Sequence, residues 1–116
     1  MSRIREVRVD SHLGEFEQLV LLALLRLREN AYGVTIRRDI ARRAGRDVTL
    51  GTVYKTLLRM EEKGLVASRI GEPTAERGGR RKKLYRLQPT GERALARSLA
   101  ALRGMATGLG KELEAL

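Results

Sequence analysis

Thr49-Leu50-Gly51-Thr52-Val53-Tyr54-Lys55-Thr56-Leu57-Leu58-Arg59-Met60-Glu61-Glu62-Lys63-Gly64 decides the fold of this 116-residue chain. The Thr49 hydroxyl can accept a hydrogen bond from a free backbone N–H two or three residues on, so it caps a helix start. Gly64 can close the same helix, because glycine readily takes the left-handed conformation that follows a last turn. Between them Leu50, Val53, Leu57 and Met60 recur every three or four residues and define an inward stripe. The opposite side presents Thr52, Lys55, Thr56, Arg59 and Lys63 without one acid, and Glu61 and Glu62 are confined to the C-terminal end. A helix with an apolar back and an acid-free outer stripe suits a polyanionic groove.

Upstream, Val34, Ile36, Ile40, Ala41 and Ala44 keep a helical period up to Gly45, with Arg37, Arg38, Arg42 and Arg43 on the remaining surface. A short helix, a brief turn and then the Thr49–Gly64 helix make a helix-turn-helix, whose second helix enters the major groove. Farther upstream, Gly14 to Arg28 reads as a first helix with Phe16, Val20, Ala23, Leu24 and Leu27 in register. Leu21, Leu22 and Leu25 lie off that stripe. A helix apolar almost all round is covered on more than one side, which predicts Leu21 and Leu25 in contact with a second subunit.

Downstream, Leu65–Ile70 and Lys83–Leu87 are strand-forming runs that can pair as a hairpin. Their connection holds Pro73, Gly78 and Gly79 and ends in Arg80-Arg81-Lys82-Lys83, a basic wing with its tip at residues 72–79. Those four cations are predicted to touch phosphate or the minor groove. Pro89-Thr90-Gly91 then punctuates a fourth helix, read from Glu92. Leu95, Leu99, Leu102, Ala106, Leu109, Leu113 and Leu116 follow at spacings of 4, 3, 4, 3, 4 and 3, the pattern of a coiled-coil seam. The seam predicts a dimer interface. Gly104, Gly108 and Gly110 weaken the helix beyond Arg103.

Composition narrows the function classes. A formal net charge of +10 favours nucleic acid as a partner, since Lys and Arg release condensed counterions from phosphates. No cysteine is present, which excludes disulfides, thiolate metal sites and cysteine nucleophiles. His12 is the only histidine, so no metal site is expected. No nucleophile beside a base, paired apolar carboxylates or phosphate loop stands out, and no enzyme or cofactor is expected. The longest apolar run, Leu19–Leu25, falls far short of the roughly 20 residues of a membrane span. The start of the chain lacks a secretion signal, which predicts a cytoplasmic protein.

These readings predict a mainly α fold with a small β-hairpin wing. Residues 1–88 would form a winged helix-turn-helix DNA-binding domain, with an arm at 1–12, and residues 89–116 a dimerisation helix. Thr52, Lys55, Thr56 and Arg59 would read bases, with Lys63 beside them, and Tyr54 would contact phosphate, as tyrosines in protein–DNA interfaces do. Two other readings stay open: non-specific nucleic-acid binding driven by charge, and a protein-interaction module built on the leucine-rich last helix. A small-molecule effector is compatible with the sequence, which specifies none.

From Leu13 to Leu99 the chain resembles the PadR family of transcriptional regulators. The resemblance is carried by Leu13-Gly14, Tyr32-Gly33, Gly51-Thr52-Val53-Tyr54, Leu57, Leu58, Met60, Glu61, Gly64-Leu65-Val66, Tyr85-Arg86-Leu87 and Thr90-Gly91. It implies a winged-helix domain with a C-terminal dimerisation helix, binding a palindromic operator as a dimer and usually repressing transcription, with Tyr54 on the DNA backbone. Two departures stand out. Lys55 occupies the place where many members have proline, and the chain has no tryptophan, so the stacking of flat aromatic drugs seen in some small members is not expected.

Overall fold

A computed structural model describes residues 12–72 and 81–116. Among the described residues, five α-helices and a two-stranded sheet follow one another as α1 (Glu15–Leu27), α2 (Gly33–Ala44), α3 (Leu50–Glu62), β1 (Val66–Ile70), β2 (Lys83–Leu87), α4 (Pro89–Ala106) and α5 (Gly110–Glu114). A 3₁₀ turn at Arg28–Asn30 joins α1 to α2. The mainly helical architecture with its small hairpin is the one the sequence predicts.

Each of α1, α2 and α3 starts on a local cap. Glu17 Oε1 accepts from the Gly14 N–H at 2.9 Å, the reach-back half of a capping box. Thr35 Oγ1 accepts from the Tyr32 N–H at 3.0 Å, and Thr49 Oγ1 accepts from the Thr52 N–H at 3.1 Å. The helices α2 and α3 are followed by left-handed backbone at Gly45 (φ 63) and Gly64 (φ 78).

Val20, Leu21 and Leu24 of α1 meet Ile36 and Ile40 of α2 and Val53, Leu57 and Met60 of α3 in one core, completed by Leu65, Val66, Tyr85, Ala94 and Leu95. Fully burying a side chain of this size contributes about 1.5–3 kcal/mol, so this cluster fixes the angle between α2 and α3. The strands pair antiparallel with Ser68 opposite Tyr85. The Tyr85 N–H also donates to the Ala31 carbonyl at 2.9 Å, which ties the hairpin to the turn before α2.

The last helix departs from expectation at both ends. It begins at Pro89 rather than Glu92, with proline in the first turn, where its missing N–H costs nothing. It stops at Ala106, because Gly108 turns left-handed (φ 85) before the short α5 begins. The leucine seam is therefore split between two helices and is not one continuous coiled-coil stripe. Only its start, Gly91, Ala94 and Leu95, is buried on the core. Beyond Leu99, nearly every residue of α4 and all of α5 are exposed.

Candidate nucleic-acid interface

The helix α3 carries the site. Val53, Leu57 and Met60 are buried, leaving Gly51, Thr52, Tyr54, Lys55, Leu58, Arg59 and Glu62 exposed along its outer side. Thr56 belongs to the inner side: it is only 3% exposed, which corrects its place among the base readers. It follows Lys55 by one residue, a 100° step that carries it round toward Val53 and Met60.

Tyr54 lies across the beginning of α2. A Cβ placed on Gly33 would overlap the Tyr54 ring and hydroxyl, so only glycine at that position lets the ring sit there. Two motifs separated in the sequence, Tyr32-Gly33 and Gly51-Thr52-Val53-Tyr54, are one structural unit. The arrangement leaves Tyr54 half exposed, with its hydroxyl beside the N-terminal end of α2. Backbone N–H groups at such an end favour anions.

From Gly51 to Arg59 the outer side of α3 holds no acid of its own, but one stands against it in space. Glu17, from α1, is buried and places Oε2 3.2 Å from Arg59 Nε and 3.4 Å from Lys63 Nζ. Burial pushes its carboxyl pKa upward, yet the Gly14 N–H, the Arg59 guanidinium and the Lys63 ammonium together outweigh that, and the net shift is downward. Glu17 is therefore ionised and neutralises one of two cations assigned to DNA. The sequence offered no sign of this contact, which spans 42 residues to Arg59.

At the wing, Arg81 is exposed, while Arg80 and residues 73–79 of the tip lie outside the described residues, as does the arm up to residue 11. Lys82 Nζ stands 4.8 Å from the Tyr32 ring centroid and Lys83 Nζ 5.8 Å from that of Tyr85, both within cation–π range. Lys82 thereby links the wing base to the start of α2. Among the basic residues of α2, Arg37 donates to the Val48 carbonyl at 2.9 Å and Arg43 pairs with Asp39 at 3.2 Å.

The predicted interface residues divide in two. Leu21 (0% exposed) and Leu95 (4%) are enclosed by their own chain, a correction to their assignment to a partner. Leu99 is partly buried on the core and Ala106 is half-buried. Leu25, Leu102, Leu109 and Leu113 are exposed, as is Met105 between them. A groove of about 870 Å³ runs between the end of α1 and the hairpin, with Leu24, Leu25, Leu84 and Leu87 on its apolar side and Arg69 and Glu92 among its charged residues. Among the described residues no cluster of His, Asp or Glu could hold a metal ion, and no helix is long and apolar enough to cross a membrane.

A helix-turn-helix followed by a basic hairpin defines a winged-helix DNA-binding protein. Residues 21–97 match the Transcriptional regulator PadR-like family, and the chain belongs to that family. It is similar to a PadR family transcription regulator from Clostridium difficile, with 28% identity and a TM-score of 0.70 over 86% of this chain and 99% of that one. A PadR family regulator from Eggerthella lenta is 31% identical, with a TM-score of 0.62 over 99% of this chain and 100% of that one. The fold is also that of Bacillus subtilis PadR, whose structure was determined in complex with operator DNA; there the identity is 19% and the TM-score 0.60 over 73% of this chain and 46% of that one. No curated protein matches the chain. The protein is thus a DNA-binding transcription regulator and not an enzyme.

Proposed function

We propose that the protein is a cytoplasmic repressor that binds a palindromic operator as a homodimer. The carrying observation is the exposed outer face of α3, which projects Thr52 and Lys55 from a helix whose opposite side is locked into the core. In this reading Thr52 and Lys55 reach base edges in the major groove, where Lys donates to guanine O6 and N7. Tyr54, Arg59, Lys63 and the wing cations Arg80, Arg81, Lys82 and Lys83 hold phosphates. Two α3 helices enter successive major grooves about 34 Å apart, and the bound dimer excludes polymerase.

The exposed apolar residues Leu25, Leu102, Leu109 and Leu113, with Leu99 and Ala106 beside them, support the dimer, since leucines left in water are stabilised by burial against a second copy. Residues 1–88 then serve as reader and 89–116 as coupler. The groove beside the hairpin gives a small-molecule effector of mixed apolar and charged character a candidate seat.

The deciding experiment selects bound molecules from a pool of random duplexes at about 0.15 M salt and sequences them, because only at realistic ionic strength does readout separate from charge. An enriched inverted repeat is the expected result. Recovery without a motif overturns it in favour of non-specific binding, and an odd half-site without symmetry overturns the homodimer.

A further inference from the structure

We infer that Glu17, on α1 and outside the helix-turn-helix, is a positioning residue for DNA recognition: it orients Arg59 and Lys63 for the phosphate backbone and leaves base reading to Thr52 and Lys55. The inference rests on the reading of α3 as the DNA-reading helix. Both oxygens of the Glu17 carboxylate are engaged, Oε1 by the Gly14 N–H at 2.9 Å and Oε2 by Arg59 Nε at 3.2 Å and Lys63 Nζ at 3.4 Å. The carboxylate side chain is 9% exposed, whereas the Arg59 side chain is half exposed. It is thus an anchor held by the core, with its cations at the surface.

A guanidinium is a rigid planar fork, so fixing its Nε edge also fixes the direction of the Nη donors that remain. Arg59 therefore gives up rotamer freedom before DNA arrives, and less is left to lose on binding. The charge arithmetic acts in the same direction. One buried anion between two cations leaves a net charge of +1, which weakens attraction to any duplex while leaving oriented donors for a particular one. Lys55 differs: among the described residues it forms no ion pair, and it stands in the N-terminal half of α3, the half that contacts bases in helix-turn-helix proteins.

The test measures binding to the selected operator and to random duplex between 0.05 and 0.2 M salt for the wild type, Glu17→Gln, Arg59→Ala/Lys63→Ala and the triple variant. Glu17→Gln is expected to tighten random binding severalfold and to steepen the salt slope by about 0.9 for each cation released. The operator-to-random ratio should fall severalfold, because phosphate contacts fix the register in which Thr52 and Lys55 meet the bases. In the Arg59→Ala/Lys63→Ala background the same change should alter neither quantity. A folded Glu17→Gln protein with unchanged slope and ratio overturns the inference, as does an equal effect in the background lacking both cations. Arg59→Lys keeps the charge and Glu17 but loses the fork; it should lower the ratio without moving the slope, and an unchanged ratio overturns the inference even where Glu17→Gln does not fold. A wild type that prefers no operator instead overturns the reading of α3 itself, a failure visible before any variant is made.

Discussion

The helices α3 and α4 are both amphipathic, yet they treat their apolar sides in opposite ways. In α3 the apolar stripe is used up within the chain, with Val53, Leu57 and Met60 all at 0% exposure. In α4 only the first turns are used, and beyond Leu99 the stripe emerges into solvent, with Leu102 at 60% exposure. The same kind of sequence pattern thus makes a core in one helix and an offer to another surface in the second. What separates them is length: α4 continues for about two turns past Leu99, where its side chains are largely exposed among the described residues.

The contrast can be broken first at Leu57. Leu57→Ala removes a fully enclosed side chain and should cost about 2–5 kcal/mol, read as a shift in the urea midpoint with little change in slope. Leu102→Glu should instead leave the far-ultraviolet spectrum and the unfolding of a single chain nearly unchanged. Its effect should appear in sedimentation, because a symmetric interface loses the residue twice; at about 1.5 kcal/mol per copy, association weakens by roughly a hundredfold. A dimer that survives Leu102→Glu and Leu109→Glu together would mean that the exposed stripe is not the coupling surface.

The smallest effect concerns pH. The Glu17 carboxyl titrates below its ordinary value of 4.5 when folded, so the folded chain binds fewer protons there than the unfolded one. The contribution of Glu17 is complete above that value and is lost as pH falls through the lower native pKa. The Gly14 N–H, Arg59 of α3 and Lys63 just after it are the groups that hold the carboxyl down. Thermal melts from pH 7 to pH 3 should show this loss in the wild type and a flatter curve in Glu17→Gln.

Much of this architecture is legible in the sequence because its signals are local. Thr49 caps α3, Gly45 and Gly64 turn left-handed, and the hairpin falls where strand-forming runs flank a Pro- and Gly-rich connection. The misreadings have a common cause, since each depends on what comes from elsewhere in the chain. An apolar helix surface alone cannot tell a partner from a core, so the pattern puts Leu21 and Leu95 outside. Thr56 looked surface-polar because threonine is at home on either side. Glu17 was silent because its partners lie more than 40 residues away. The break after Ala106 was half visible: the glycines weaken the helix locally, while the leucine spacing continues across them.

The contact between Tyr54 and Gly33 bears on retargeting the protein to new DNA. Positions such as Lys55, Leu58 and Glu62 project without constraint from the interior and are open to redesign one at a time. Tyr54 with Gly33, and Glu17 with Arg59 and Lys63, are interlocked pieces from different helices. A recognition helix transplanted into another scaffold would carry its exposed letters but leave those counterparts behind, so the transferable unit is three helices, not one.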